Sequence, residues 1–321
     1  MSWLKYAALT LLLSFASGCD KPTSRGRILA FFYWKNRLAL TPAEVAFLDS
    51  LGCQVLYVKF LDIARVGGEP ARPYSILEVI DTTGLGNRVI VPCVFLTNSV
   101  FEGLSTAEGE VLAQKVARAI SRVGQQFPKA SFAEVQVDCD WTKRTRHAYF
   151  LFLDNLRKCL PAGTKLSATL RLHQYKFPHR TGVPPVERGL LMLYNTGDIQ
   201  DPNEENSIFS YEDAFRYLDG APAHYPLPLD VALPAFSWTL VYRDGHLWKI
   251  GPEGYRPPPY DGEQRVRTER IDTALLRKAA QLAAHVRTEP GSRLAFFRLD
   301  STTVRQFSIG FLREIVTQVS D

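Results

Sequence analysis

FAEVQVDCDWTKRT, residues 132–145, begins as a strand and ends with two carboxylates one residue apart. Apolar and polar residues alternate along its first half, which is typical of a strand whose two faces meet different surroundings. Because side chains on a strand alternate between faces with period two, Asp138 and Asp140 point the same way, and so do Glu134 and Gln136 behind them. The segment therefore predicts a strand with a polar row on one face and two carboxylates at its carboxyl end.

Seven further segments have the length and the Val, Ile, Leu and Phe content of strands that are covered on both faces. They begin at Ile28, Gln54, Arg88, Lys165, Gly189, Leu229 and Ser292. Between most of them lie segments with apolar residues at helical spacing, such as residues 41–52, which have a threonine cap, a proline in the first turn and a closing glycine. Eight strands with helical crossovers predict an α/β fold, the closed (β/α)8 TIM barrel. An open doubly wound sheet is the alternative, but no glycine-rich phosphate loop follows the first strand.

The alternation of strands and helices is interrupted between the seventh and eighth strands, at about residues 241–270. Asp244 and Gly245 predict a hairpin turn there, and a charged stretch follows three consecutive prolines. We interpret this segment as a small insertion on the rim of a single barrel domain that spans residues 28–321.

Composition places the chain among globular proteins. It has 321 residues, of which 46% are hydrophobic and 22% are charged. The formal net charge of +5 comes from 38 basic and 33 acidic residues that are spread along the chain. Because no run is rich in lysine and arginine, the sequence argues against a nucleic-acid partner.

The amino terminus has the layout of a signal peptide: one lysine, an apolar run and then Gly18-Cys19. The ending ASGC resembles a bacterial lipobox, in which cleavage after residue 18 leaves Cys19 as a lipidated first residue, followed by a tether over residues 19–27. An ordinary signal peptide is the alternative. Asp20 resembles an inner-membrane retention signal, so the expected location is the cell envelope, with the barrel in the periplasm and a lipid anchor in the inner membrane.

The other four cysteines are Cys53, Cys93, Cys139 and Cys159. None forms a C-x-x-C pair or has a zinc-type spacing with histidine, so no metal site is indicated, and no organic cofactor is indicated either. Buried free thiols are expected, and a single disulfide stays open as an alternative.

The candidate site is placed at the carboxyl ends of the strands, where the active sites of such barrels form. Around Asp138 and Asp140 the sequence places Arg171 and His173, in phase on the fifth strand; Tyr194 and Asn195, ending the sixth; Trp238 on the seventh; Arg298 and Asp300 on the eighth; and Asp62 with either Tyr33 or Trp34 from the first two. The alternative is an internal polar network in which Arg171 and Arg298 neutralise the two aspartates.

The segment VQVDCDWT, residues 135–142, resembles the D-x-x-D-x-D-x-E strand of the chitinase-type (family 18) glycoside hydrolases. LLMLYN, residues 190–195, is similar to the sixth-strand segment of that family, and LAFFRLD, residues 294–300, is similar to its last strand, where Trp usually stands in place of Arg298. The chain also resembles bacterial lipoproteins of uncharacterised function that share this barrel.

The resemblance implies roles for three catalytic residues: Asp140 would orient an acetamido group, Asp138 would support it, and Tyr194 would hold the sugar. Arg171, His173, Asn195, Trp238, Arg298 and Asp300 would then bind substrate. Thr142, however, occupies the position of the family's general acid, and Val135 that of its first aspartate. A threonine cannot protonate a leaving group near neutral pH.

Two functions follow from this departure, and the sequence leaves open whether the protein is an enzyme. The first is a membrane-anchored glycoside hydrolase-like barrel that acts on or binds an envelope or imported polysaccharide, with Asp140 or a rim carboxylate such as Asp300 or Asp62 transferring the proton. The alternative is a non-catalytic glycan-binding or scaffolding lipoprotein on a degenerate hydrolase barrel.

Overall fold

The structure is a computed structural model that describes residues 26–65, 69–129, 131–222 and 224–320. The expected signal peptide, Cys19, Asp20 and most of the tether lie outside these residues. Within the described part of the chain, no helix is long and apolar enough to cross a membrane.

Eight parallel strands form a closed barrel, and they are numbered one to eight below. They are Ile28–Tyr33, Val55–Ala64, Val89–Leu96, Glu134–Asp138, Lys165–Leu170, Arg188–Met192, Leu229–Pro234 and Arg293–Phe297. The first strand closes the barrel because it pairs with both the second and the eighth; Ala30, for example, lies beside Val55 on one side and Ala295 on the other. The predicted (β/α)8 barrel is confirmed, and closure excludes the open-sheet alternative.

Helices cover the outside of the barrel. They are Pro42–Leu51, Thr106–Gly124, Arg146–Cys159, Leu172–Lys176, Pro178–Thr181, Tyr211–Leu218, Thr273–Ala284, Ser301–Gln306 and Ile309–Ser320, with 3-10 turns at Thr83–Leu85 and Asn98–Phe101. The first helix begins and ends as its sequence predicts. The hydroxyl of Thr41 accepts from the backbone of Glu44, the Glu44 carboxylate accepts from the backbone of Thr41, and Gly52 ends the helix at φ 68°.

The predicted insertion between strands seven and eight is confirmed as a three-stranded antiparallel sheet. Its strands are Ser237–Arg243, His246–Gly251 and Gln264–Arg270. Asp244 and Gly245 both have positive φ and make the expected hairpin turn. Two short strands, Arg37–Leu38 and Glu78–Val79, pair with each other, and Arg72–Ile76 pairs antiparallel with strand two. The insertion sheet begins directly after strand seven, so Trp238 lies on its first strand and not on the barrel strand where the sequence placed it.

The polar row of strand four faces the barrel interior, as its period predicts. Ser167 donates to Glu134 over 2.6 Å and Thr169 donates to Asp138 over 2.6 Å, both from strand five. Gln136 accepts from the thiol of Cys93, on strand three, over 3.6 Å. Strand four therefore delivers its last carboxylates to the mouth, the carboxyl-terminal end of the barrel.

The amino-terminal end of the interior holds a separate charged network around Arg293. Its guanidinium lies 2.7 Å from Glu134 and donates to the hydroxyl of Tyr57 over 2.8 Å. Asp230, which is fully buried, accepts from the backbone of Arg293 over 2.6 Å and pairs with Arg188 at 2.7 Å. This network belongs to the floor of the barrel, on the opposite side from the candidate site.

The four cysteines within the described residues are free thiols. Cys53, Cys93 and Cys139 are buried, as the sequence predicts for residues in or beside strands, whereas Cys159 is exposed at the end of its helix.

Candidate functional site at the barrel mouth

Asp140 and Arg171 form a two-point ion pair at the mouth. They follow strands four and five, which are parallel neighbours, so their side chains meet directly. The guanidinium Nε and Nη2 of Arg171 lie 2.5 Å from the two carboxylate oxygens of Asp140. Both oxygens of Asp140 are therefore engaged, in the planar geometry that makes such pairs strong. The sequence left as an alternative an internal network in which Arg171 and Arg298 neutralise the two aspartates, and the pair of Arg171 with Asp140 is the part of it that is present.

Asp138 differs from Asp140 in having no cationic partner in the described part of the chain. Its carboxylate accepts a hydrogen bond from the Thr169 hydroxyl. Burial raises the pKa of Asp138 to about 6, and the negative charges of Asp140 and Asp62 add to the effect, while Thr169 and Arg171 oppose it. Asp138 is thus a carboxyl whose ionised form is poorly stabilised by the protein.

The remaining carboxylates of the mouth are paired. Lys59, which is nearly buried, lies 2.7 Å from Asp62, and Arg298 lies 3.2 Å from Asp300. Asp300 also accepts from the backbone of the helix Ser301–Gln306 and so caps it. The alternative of an internal network, in which Arg171 and Arg298 neutralise both aspartates, is therefore met at Asp140 and not at Asp138, because Arg298 pairs with Asp300.

Phe297 is one of two mouth residues that sequence reasoning missed, the other being Phe236. Arg293 points into the barrel, and on a strand of period two Phe297 must share its face, whereas Arg298 does not. The Phe297 ring stacks on Tyr194 with centroids 5.1 Å apart and meets Trp34 edge-on at 5.4 Å. Counting in steps of two from Arg293 would have identified it.

Five aromatic side chains form one side of the mouth, called here the aromatic wall. Its members are Trp34, Tyr194, Phe236, Trp238 and Phe297, with ring centroids of neighbours 5.1–5.9 Å apart. Of the two candidates at the end of strand one, Trp34 lies at the mouth and Tyr33 does not. The hydroxyl of Tyr33 is turned away from the mouth and donates to the carbonyl of Arg37 over 2.7 Å. Trp238 reaches the wall from the insertion sheet, held by a hydrogen bond from its indole N–H to Glu269.

His173 lies at the rim on the short helix Leu172–Lys176, not on strand five. The strand ends at Leu170, and the side chain of Gln174 accepts from the backbone N–H of Arg171 and starts the helix there. Desolvation lowers the pKa of His173, while the negative charge of Asp140 opposes this shift and the positive charge of Arg171 adds to it. His173 lies at the mouth as predicted, but its predicted position on strand five, in phase with Arg171, is wrong.

Asn195 follows Tyr194 in a left-handed conformation, with φ 55°. Its side-chain oxygen is buried and has no hydrogen-bond partner within the described ranges. Its backbone N–H donates to the carbonyl of Ile208 over 2.6 Å, which ties the end of strand six to the following loop.

Thr142, at the position of the family's general acid, is exposed and hydrogen-bonded within its own turn. Its backbone N–H donates to the hydroxyl of Thr145 over 2.9 Å, and its own hydroxyl accepts from the backbone of Arg144 over 3.3 Å. No carboxyl stands at this point of the turn. Val135, at the position of the family's first aspartate, is buried on the opposite face of strand four from Asp138.

Comparisons with known proteins relate the chain to chitinase-type barrels by fold. No protein-family model matches it, and neither does a curated protein sequence. A chitinase from Bacteroides thetaiotaomicron superposes with TM-score 0.52 at 9% identity over 91% of this chain and 97% of that one. A chitinase from Rhizomucor miehei gives 0.51 at 12% identity over 90% and 100%, and the spore cortex-lytic enzyme SleL of Bacillus megaterium gives 0.51 at 12% identity over 92% and 75%. The resemblance is confirmed at the level of the fold.

Proposed function

We propose that the barrel binds a β-linked glycan at its mouth and does not cleave it. The observation that carries this proposal is the state of the mouth carboxylates. Asp62, Asp140 and Asp300 each have a cationic partner, and the acid position holds Thr142. Hydrolysis of a glycosidic bond needs a carboxylic acid that protonates the leaving group, and none of the three paired carboxylates is free to hold that proton.

A glycan is the ligand class that the aromatic wall favours. Aromatic rings offer flat apolar faces of large area, and the neighbouring polar groups can fix the orientation of a ligand by hydrogen bonds. Trp34, Trp238 and Phe297 are each partly exposed at the mouth. The superposed structures that are named chitinases support glycans of the chitin type as the first ligands to test.

The second candidate is hydrolysis with Asp138 as the acid. A carboxyl with a pKa of about 6 keeps a useful fraction of its proton near neutral pH, which is the property of a general acid. Asp138 is also the mouth carboxylate that lacks a cationic partner among the described residues. This observation favours catalysis, and only measured turnover separates it from binding.

The experiment measures binding and turnover in parallel on the protein from Asp20 onward. The ligands are oligosaccharides of N-acetylglucosamine, oligosaccharides of glucosamine, and peptidoglycan fragments. Calorimetry measures their binding, and the release of new reducing ends measures their cleavage. Binding without release of reducing ends supports the proposal. Cleavage that disappears in Asp138→Asn would replace it with the second candidate, and an absence of both would remove glycans from the interpretation.

The wall gives a matched pair of variants. We expect Phe297→Ala to weaken binding of the tightest glycan of the panel about tenfold, because a buried aromatic contact contributes about 1.5 kcal/mol or more. Phe215→Ala is the control, since Phe215 is exposed on the outer helix Tyr211–Leu218. Calorimetry of the two variants checks the prediction. Unchanged affinity in Phe297→Ala would show that the ligand does not touch the wall.

The location of the protein is a further part of the proposal: the ending ASGC supports a lipid anchor at Cys19 in the cell envelope. We expect the full chain, expressed in a Gram-negative host, to incorporate labelled palmitate and to sediment with membranes. Both properties should be lost in Cys19→Ser. A wild-type protein that is cleaved after residue 18 but carries no label would instead have an ordinary signal peptide.

A further inference from the structure

We infer that the glycan bound at the mouth carries a protonated amine, as a sugar with a free amino group does, and that Asp138 binds that amine. This inference rests on the glycan-binding function proposed above and names the chemical class of the ligand.

The first argument is the balance of charge at the mouth. Four carboxylates lie there, those of Asp62, Asp138, Asp140 and Asp300, and three cations face them: Lys59 at 2.7 Å, Arg171 at 2.5 Å and Arg298 at 3.2 Å. Four negative charges less three positive ones leave one negative charge when all groups are ionised. That charge is on Asp138, whose partner within the described ranges is the neutral hydroxyl of Thr169.

The second argument is the cost of leaving that carboxylate unpaired. Asp138 is half-buried, and the charges of Asp140 and Asp62 act on it unfavourably. A carboxylate in such surroundings is stabilised by a cation that comes within contact distance. A ligand ammonium is such a cation, whereas an acetamido group in its place is neutral and leaves the charge uncompensated.

The third argument is independent of charge balance and comes from the aromatic wall. The faces of aromatic rings attract ammonium groups electrostatically. The wall already holds one such group, because the ammonium of Lys59 lies 5.7 Å from the centroid of Trp34. Burial, followed by the negative charge of Asp138, raises the pKa of Tyr194, so this ring stays neutral beside the carboxylate. An ammonium above Asp138 would thus meet a carboxylate on one side and aromatic faces on the other.

The experiment compares one ligand with its acetylated form. Glucosamine oligomers of defined length are titrated into the wild-type protein by calorimetry at neutral pH, before and after chemical N-acetylation. We expect the amine form to bind at least about tenfold more tightly, as for a close charge pair that is largely desolvated. Asp138→Asn should remove this preference. Asp154→Asn makes the same change at an exposed position of the helix Arg146–Cys159 and should retain it.

Each other outcome contradicts a stated part of the argument. Equal or tighter binding of the acetylated oligomer by the wild-type protein would overturn the amine inference and leave glycan binding in place. Loss of the preference in Asp154→Asn as well would show diffuse charge attraction and would also overturn it. Failure of both oligomers to bind would overturn the inference, and failure of the peptidoglycan fragments as well would refute the proposed function itself. The wild-type comparison needs no variant, so the inference stays testable even if Asp138→Asn does not fold.

Discussion

Replacing Arg293 with methionine is expected to lower the free energy of unfolding by about 3–5 kcal/mol, because it removes the cation from a buried charged network and leaves carboxylates behind. Methionine keeps much of the length and volume of the side chain, so the change tests the charge and not the packing.

The contacts of Arg293 explain why the effect should be large. Its guanidinium pairs with Glu134 at 2.7 Å and donates to Tyr57, and it lies 3.9 Å from Asp230. Glu134 is nearly buried and Asp230 is fully buried. Asp230 keeps Arg188 as a partner, so Glu134 is the carboxylate that the substitution leaves without a cation.

Urea unfolding at pH 7 checks this prediction against a surface pair. Arg277→Met removes the partner of Glu314, where both side chains are at least half exposed, and should cost no more than about 1 kcal/mol. Adding Glu134→Gln to Arg293→Met should restore part of the loss. A loss in Arg293→Met as small as that in Arg277→Met would mean that the floor network does not stabilise the barrel.

The second large effect is a pH-dependent gain in stability on replacing Asp138 with asparagine. Burial, followed by the charge of Asp140, raises the pKa of Asp138 from its ordinary 3.8 to about 6. The native protein therefore holds a proton between about pH 4 and pH 6 that the unfolded chain has already released. The free energy of unfolding then falls as the pH rises through this interval, since the native state binds more protons there than the unfolded state.

The size of this effect follows from the shift. About two pKa units correspond to at most about 3 kcal/mol, and the penalty is complete above about pH 6. Asparagine does not ionise. The free energy of unfolding of Asp138→Asn, relative to that of the wild type, should therefore increase by this amount between pH 4 and pH 6, and the difference should stay constant above pH 6.

Urea unfolding of the two proteins at pH 4, 5, 6 and 7 measures the difference, and Asp154→Asn provides the control because Asp154 is exposed. The difference in free energy of unfolding between Asp154→Asn and the wild type should not increase between pH 4 and pH 6 as that of Asp138→Asn does. A constant difference between Asp138→Asn and the wild type across the interval would mean that Asp138 ionises normally, and the unpaired carboxylate would lose its significance for ligand binding.

Local patterns in the sequence predicted most of the fold correctly. The strands, the helix caps at Thr41 and Gly52 and the Asp244-Gly245 turn depend on interactions between residues close together in the chain. The ends of the strands were predicted less well. Strand five was extended through His173, although the side chain of Gln174 starts a helix directly after Leu170.

The candidate site was predicted in part. Period two placed Asp138 and Asp140 on one face, and the end of strand six placed Tyr194 at the mouth. A pairing of Arg171 with the aspartates was left as an alternative. Phe297 was missed because the eighth strand was assigned the wrong inward-facing residue, and Phe236 was missed because it lies where strand seven passes into the insertion.

By itself, the sequence determined a barrel whose fourth strand carries a polar row into the interior and ends in two carboxylates, because strand periodicity is a local property of the backbone. Only the tertiary structure decided which partner each carboxylate has. Arg171 pairs with Asp140, Arg298 with Asp300 and Lys59 with Asp62, which leaves Asp138 to the hydroxyl of Thr169. Such pairings depend on distances across the barrel between side chains far apart in sequence, and Coulomb energies and hydrogen bonds change steeply over those distances.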